Sequence, residues 1–484
     1  MVFSSITFLF MFLPVSLAVY YAIPRRFQNL FILLISLFFY AWGEPKYILV
    51  MLISIMVDYC AGIVMWKFDD REKIRKIALI VSIILNLSLL GVFKYGTFVI
   101  DNINNIFGTH IFGAPETYPI FHLGIFDLPI AHLPIGISFF TFQSLSYTID
   151  LYKRNIKVQK NPISFAAFVT LFPQLVAGPI VRYNDISNEL DNRKSSLNMT
   201  YDGILLFITG LGKKVLIANN IGMLWSEVKA MQISELSVAT AWLGIIAFTF
   251  QIYFDFSGYS DMAIGLGKML GFNFPKNFDY PYMSKSITEF WRRWHITLGA
   301  WFKSYVYFPL GGNRKGLKRT VMNLAVVWLL TGIWHGASWN FIIWGCLYGL
   351  VIIIERLFLG RFLEKTPAFF CSVYTMFLVT LGWVLFDTAD LSTAFGYMGA
   401  MFGAGGNSLL TDNTAIYALL NYGIIFLICI LACTNLWKRA YDYLYIKIPV
   451  FLNYGAVGYQ MTVLVFVTAY LVDAGYNPFL YFNF

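Results

Sequence analysis

The chain has 484 residues, of which 58% are hydrophobic and only 13% charged, and its mean hydropathy is +0.65. Globular domains carry about 45–50% apolar and about 25% charged residues, so no soluble fold could bury this much apolar surface. The same figures exclude a disordered chain, a collagen and a small disulfide scaffold. The reading is an all-α polytopic membrane protein, because lipid requires every backbone polar group to be paired internally. The excess of 35 Lys+Arg over 26 Asp+Glu, a net charge of +9, then marks cytoplasmic loops and not a nucleic-acid partner.

Apolar stretches long enough to cross lie at about 3–23, 28–42, 47–66, 76–94, 133–151, 163–180, 201–226, 237–272, 321–354, 366–386, 415–435 and 451–473. They predict about ten to twelve crossings, some of them re-entrant, in a single membrane-embedded domain over residues 1–484. The stretches 237–272 and 321–354 are too long for one simple crossing. Residues 1–23 have no basic leader and no cleavage site, so they read as a retained first span. Arg25 and Arg26 put the following loop in the cytoplasm and the N-terminus outside. The loop 67–76 is basic and cytoplasmic, the stretch from Tyr95 to His132 lacks Lys and Arg and lies outside, and Lys153, Arg154, Lys157 and Lys160 return the chain to the cytoplasm. Cys60, Cys346, Cys371, Cys429 and Cys433 sit in apolar segments without a CxxC pair and read as small core residues. Gly265-x-Gly267-x-x-x-Gly271 and Gly210-x-Gly212-Lys213 resemble nucleotide loops, but no strand precedes them. They read as close helix packing.

The longest polar interruption is 273–320. It holds nine basic residues, among them Arg292, Arg293 and Lys303, against Asp279 and Glu289 alone. It is also rich in aromatics, including Trp291, Trp294 and Trp301. Cations mixed with aromatics predict short helices lying in the membrane interface. The cations hold the segment on the cytoplasmic face. They could also attract membrane lipid headgroups or a polyanionic cofactor such as coenzyme A.

Two of the five histidines stand out. His335 lies in the 34-residue stretch 321–354, which carries no formal charge. As one helix that stretch would be about 51 Å long at ~1.5 Å per residue, against a hydrocarbon core of about 30 Å. Either it tilts steeply, or the chain turns near Gly332–Ser338. Both place His335 inside protein at membrane depth, where ionisable groups are costly and mark function. The plainer alternative is a core histidine bonded to a neighbour such as Asn340. His295 ends Trp291-Arg292-Arg293-Trp294-His295 at the edge of the basic segment. His110, His122 and His132 belong to the outer loop and receive no role. No Cys pair or carboxylate–His spacing marks a metal site, and no Gly-x-Ser-x-Gly elbow supplies a serine nucleophile. A buried neutral histidine suits general-base work, and acyl transfer from a thioester fits it.

These residues resemble the membrane-bound O-acyltransferase family, in its bacterial alginate O-acetyltransferase membrane-subunit branch. The likeness runs over most of the chain. It begins with Trp42-Gly43-Glu44-Pro45-Lys46-Tyr47 and continues through Pro134–Gln143, Tyr147-x-x-Asp150, Phe172-Pro173-Gln174-Leu175 and Asp255-Phe256-Ser257-Gly258-Tyr259-Ser260-Asp261. Its most specific segments are Ser286–His295, Pro309–Arg314 and Thr331–Trp339, followed by the tail Asn477-Pro478-Phe479. The resemblance implies that His335 is the catalytic histidine and His295 its upstream companion. It implies a tunnel-pierced ring of helices, an acetyl-CoA donor entering from the cytosol and an extracellular polysaccharide acceptor. It also implies a secreted or anchored serine-hydrolase-like partner, and residence in the bacterial cell (inner) membrane. Arg292, Arg293, Lys303 and Trp294 are the candidate donor contacts. Gln143, Gln174, Asp255, Ser257, Asp261 and Asn340 are candidate tunnel-lining groups. Asp255, Ser257 and Asp261 could instead pair with Arg292 or Arg293 and lock the loop to the bundle. Asp387 stands where a basic residue is expected after Phe386. Two other functions fit the sequence less well: D-alanyl-type transfer to teichoic acid, and a non-enzymatic transporter, for which no internal repeat is visible.

Overall fold

The computed structural model describes residues 1–110, 119–123, 126–130, 132–405, 409–473, 477 and 480. The chain is almost wholly helical, and among the described residues eight helices are long and apolar enough to cross a bilayer. It is a multi-span, all-α membrane protein. Its backbone divides into two compact units: Met1–Ile204 with Ala263–Pro275, and Leu205–Met262 with Lys276–Phe484.

In the first unit the spans Ile48–Lys67 and Glu72–Phe107 pack with the helix Ile137–Tyr152. Fourteen residues of that last helix are buried, polar ones included. Its Ser144 and Thr148 meet Ser54 and Ser82 of the two spans, and Asn86 donates to both oxygens of Asp58 at 2.9 and 3.0 Å. Side chains thus supply in the interior the partners that lipid cannot. The span expected at 76–94 is longer than its apolar core, running unbroken to Phe107. The stretch 163–180 is no crossing: it breaks into Pro162–Thr170 and Phe172–Leu175. Pro173 has no N–H to continue the ladder, and the Phe172 N–H is taken by Ser36 at 3.1 Å. The segment expected outside carries a small antiparallel hairpin, Ile120–Leu123 with Phe126–Pro129. His132, read as merely solvated, bonds Glu44 at 3.0 Å and stacks on Tyr47 at 4.7 Å.

In the second unit the long stretch 321–354 resolves into a hairpin, Leu317–His335 and Trp339–Ile354, turning at Gly336–Ser338. Of the two alternatives, tilt or turn, the turn is the one present, and His335 is the last residue of the first arm. The arms meet through glycine. A β-carbon on Gly345 would stand 2.5 Å from the Trp328 carbonyl and 2.8 Å from the Gly332 Cα. Backbone cannot yield as a side chain can, so Gly345→Ala is expected to destabilise the fold by about 1–3 kcal/mol. Thermal unfolding in detergent checks this against Gly423→Ala, where nothing lies within 4 Å; there, helix propensity should leave stability unchanged or raised by up to ~1 kcal/mol.

The other overlong stretch behaves differently: Val238–Met269 is one continuous helix of 32 residues. In its apolar 18-residue window 72% of the residues are buried, so protein rather than lipid covers that part of its length. The glycines that resembled nucleotide loops do pack helices. Gly210 lies against the backbone of Gly258, and a β-carbon on Gly267 would meet the Phe274 ring at 2.7 Å.

Candidate functional site

The basic segment folds, as expected, into short helices: Ile287–Arg293 and Ile296–Phe302. His295 is the hinge between them, with φ of 47° and ψ of 52°. Left-handed backbone is costly for a residue with a β-carbon, by about 1–2 kcal/mol, so something must hold it. Asn277 does. Its carbonyl accepts the Ile296 N–H at 2.9 Å, and its side-chain Oδ1 accepts from Thr297 N at 3.2 Å and Thr297 Oγ1 at 2.9 Å. His295 Nδ1 lies 3.2 Å from the same Oδ1.

This arrangement fixes the tautomer. Thr297 N–H can only donate, so the Asn277 atom facing it is the oxygen, and Nδ1 must carry a proton to bond it. Nε2 is then the acceptor nitrogen. His295 is 2% exposed, and burial pushes its imidazole down to about 3. It is neutral across the physiological range, with Phe256 edge-on at 4.8 Å.

His335 is 4% exposed and caged by rings. Trp344 lies at 4.8 Å, Trp334 at 5.0 Å, Phe386 at 5.3 Å and Phe341 at 6.4 Å. The two histidines share a neighbour, because the Trp334 ring is also 6.1 Å from His295. Asn340 is not the partner of His335; it donates to the Thr388 carbonyl at 2.8 Å and to Thr388 Oγ1 at 3.3 Å.

Two cavities lead towards His295. The outer one, about 710 Å³, is walled by the exposed cations Lys285, Arg292, Lys303 and Arg356, which outnumber the two carboxylates in its wall, Glu355 and Glu364. The inner one, about 440 Å³, is mostly aromatic and apolar, with Trp291, Trp294, Trp328 and His295 in its wall. Thr288, Arg292, Lys303, Tyr307, Leu324 and Ile352 line both. The arrangement is a cationic mouth opening into an apolar chamber with a neutral histidine in its wall. It suits a long ligand with an anionic head and a slender neutral arm.

A family model described as MBOAT, the membrane-bound O-acyltransferase family, matches residues 117–386. That span is over half of the chain and includes both histidines. The chain belongs to the membrane-bound O-acyltransferase family. It is an acyltransferase. It is 43% identical to the probable alginate O-acetylase AlgI of Pseudomonas putida over 418 residues, 86% of this chain and 83% of that protein. It is 34% identical to the peptidoglycan O-acetyltransferase of Helicobacter pylori over 480 residues, 89% and 88% of the two chains. The teichoic acid D-alanyltransferase of Streptococcus thermophilus is 30% identical over 240 residues, 47% of this chain and 58% of that one.

Within this acyltransferase the remaining candidates separate. Trp294 lines the inner cavity and stacks on Phe290 at 5.6 Å. Arg293 turns away from the cavities, pairing with Glu289 at 2.7 Å and donating to the Asp279 carbonyl at 3.3 Å. Asp255 and Asp261 do not pair with Arg292 or Arg293. Asp255 binds Lys214 at 2.8 Å and accepts the Leu480 N–H at 3.0 Å, and Asp261 binds Lys213 at 2.6 Å. Both lysines come from the helix Leu197–Ala230, so these carboxylates hold helix to helix. Ser257 is buried two residues, about half a turn, from Asp255. Gln143 and Gln174 lie in the first unit, fully buried, with Gln174 Nε2 donating to the Phe168 carbonyl at 2.8 Å. Asp387, unexpected at its position, has its own partners: Trp225 Nε1 at 2.6 Å and Lys229 Nζ at 2.8 Å. Asn277 escaped sequence reasoning because nothing marks an asparagine eighteen residues before a histidine. Glu355 also escaped it, although a first charge after 35 uncharged residues is a usable signal.

Proposed function

We propose that this chain takes acetyl from cytosolic acetyl-CoA and passes it across the bacterial inner membrane to a polysaccharide hydroxyl outside. A secreted or anchored serine-hydrolase-like partner would complete the attachment. The observation that carries this reading is the shared wall between the cationic mouth and the aromatic chamber holding His295. Phosphates of coenzyme A match the four cations, with Arg292 able to bind in bidentate fashion, and the neutral pantetheine arm matches the apolar chamber. The basic loops favour the cytosolic face for this mouth and an N-terminus outside. An acetyl cargo is favoured because the two named O-acetyltransferases align over 86% and 89% of the chain, against 47% for the D-alanyltransferase.

The chemistry needs one proton moved twice. The acceptor oxygen forms a bond to the acetyl carbonyl carbon as His335 takes the hydroxyl proton. The C–S bond then breaks, and His335 returns the proton to the departing thiolate sulfur, so that ester and thiol leave with no net proton change. His295, with Nδ1–H held by Asn277, offers Nε2 as an acceptor to the bound donor. The aromatic cage around His335 excludes water that would otherwise hydrolyse the thioester.

The donor half of this reading predicts a KM effect. Arg292→Ala combined with Lys303→Ala should raise the KM for acetyl-CoA about tenfold or more with a smaller change in kcat, because phosphate contacts remote from the reacting carbon act mainly on binding. Steady-state thiol release by the purified protein, with a saturating hydroxyl acceptor present, measures both constants. An unchanged KM would remove the mouth from the donor site.

A further inference from the structure

Glu355 is 6% exposed at the end of the second hairpin arm and stands in the wall of the outer cavity, and the reaction as described gives it no step. Its carboxylate is fully engaged. Oε1 accepts the Ile287 N–H at 2.8 Å and the Tyr374 hydroxyl at 3.1 Å. Oε2 accepts the Thr288 N–H at 2.8 Å and the Thr288 hydroxyl at 2.5 Å. The first N–H groups of a helix have no intrahelical acceptor, and here an anion from a distant helix meets two of them. Ser286 and Glu289 complete the cap locally, with Glu289 N on Ser286 Oγ at 3.0 Å and Lys285 N on Glu289 Oε2 at 2.9 Å.

Three elements therefore converge on one carboxylate. The helix Ile287–Arg293 delivers Arg292 to the cationic mouth and ends two residues before His295. The hairpin carries His335, with Trp344 against it. Ala368–Asp387, which bears Tyr374, supplies Phe386 beside His335 and Trp383 at 5.0 Å from Trp294. A seven-residue helix cannot hold its own orientation by propagation, so its register relative to the hairpin is set by such anchors.

We propose that Glu355 is a positioning residue for acyl transfer, its carboxylate holding the Ile287–Arg293 helix, which carries Arg292 and leads to His295, in register with the hairpin that carries His335. It acts through Arg292 and His295 and takes no part in proton transfer. The inference rests on the acetyl-CoA reading only in its kinetic arm. Glutamine at 355 has nearly the same volume but replaces one acceptor oxygen with a donor, which must face an N–H or hydroxyl that also donates.

The test uses the full-length protein in lipid nanodiscs, comparing wild type with Glu355→Gln. The first readout is amide hydrogen exchange. Faster exchange confined to 286–295, with melting close to wild type, is the expected result. The second is the KM for acetyl-CoA, expected to rise about tenfold or more, as loss of hydrogen bonds to a buried charge implies. Glu355→Asp, which keeps the charge on a shorter arm, should recover part of that loss. Unchanged exchange over 286–295 overturns the proposal, and so does a variant with generally faster exchange and lower melting but wild-type KM. Should Glu355→Gln not fold, Tyr374→Phe removes a single donor and should raise KM in the same direction by a smaller factor; an unchanged KM there overturns the proposal too. Wild-type protein that ignores acetyl-CoA refutes the donor assignment instead and leaves the exchange result to decide the role of Glu355.

Discussion

His335→Ala is expected to abolish acetyl transfer while the protein still inserts and folds. A positioned general base contributes about 10²–10⁴-fold to rate, and in the proposed reaction His335 would also return the proton to the leaving thiolate, so the loss should sit at the upper end of that range. The effect should fall on kcat, because His335 lies outside the walls of both cavities that would bind the donor. Its ring packs against Trp344 and Phe386, so alanine also leaves a small hole. His335→Gln fills most of that space without an imidazole and separates packing from chemistry. Both variants should support no glycan acetylation in cells at normal protein levels. Acetylation at wild-type level in either would remove His335 from the mechanism.

The second large effect concerns a residue outside the familiar motifs. Asn277→Leu should lower kcat/KM by about 10²–10⁴-fold, the range seen when a histidine loses the partner that fixes its tautomer. Leucine cannot accept from Nδ1–H, so the imidazole is free to move its proton to Nε2. It also strands the buried Thr297 N–H, at about 1–3 kcal/mol of stability. Asn277→Asp keeps the acceptor and should retain more activity than leucine at equal stability. Steady-state kinetics on the matched pair check this, and equal activity of the two would disconnect Asn277 from His295.

The same burial sets a pH dependence. His295 holds its proton more weakly in the folded state, about 3, than the ordinary 6.5 of an unfolded chain. Above pH 6.5 neither state binds the proton and nothing is lost. Below it only the unfolded chain binds, so stability falls with falling pH at about 1.4 kcal/mol per unit until about pH 3. Between pH 7 and 8 the rate should carry no inflection from His295.

The features legible in the sequence were those with a local cause. The uncharged stretch 321–354 exceeded the bilayer, and it is a hairpin with His335 at its turn. The aromatic cations of 273–320 form short helices. Length misled where protein replaces lipid, as in the single 32-residue helix Val238–Met269, and hydropathy misled at 163–180, where Pro173 breaks an apolar run. Long-range pairing was not legible. Lys214 rather than Arg292 meets Asp255, and Thr388 rather than His335 meets Asn340. A charge identifies what a residue needs, and only the fold decides which opposite group arrives. The partners of Asn277 and Glu355 were not legible either: both side chains accept from backbone N–H groups, which every residue but proline possesses.

The central claim is that the cationic mouth admits acetyl-CoA and that the buried histidines move its acetyl group. The most direct measurement is single-turnover release of coenzyme A thiol from acetyl-CoA by the purified full-length protein in proteoliposomes supplied with a polysaccharide hydroxyl acceptor, with wild type, His335→Ala and the Arg292→Ala, Lys303→Ala pair side by side. The account predicts thiol release by wild type, none by His335→Ala at any donor concentration, and release by the double variant that is restored at high acetyl-CoA. Thiol release by His335→Ala at the wild-type rate, or none by wild type, would contradict it.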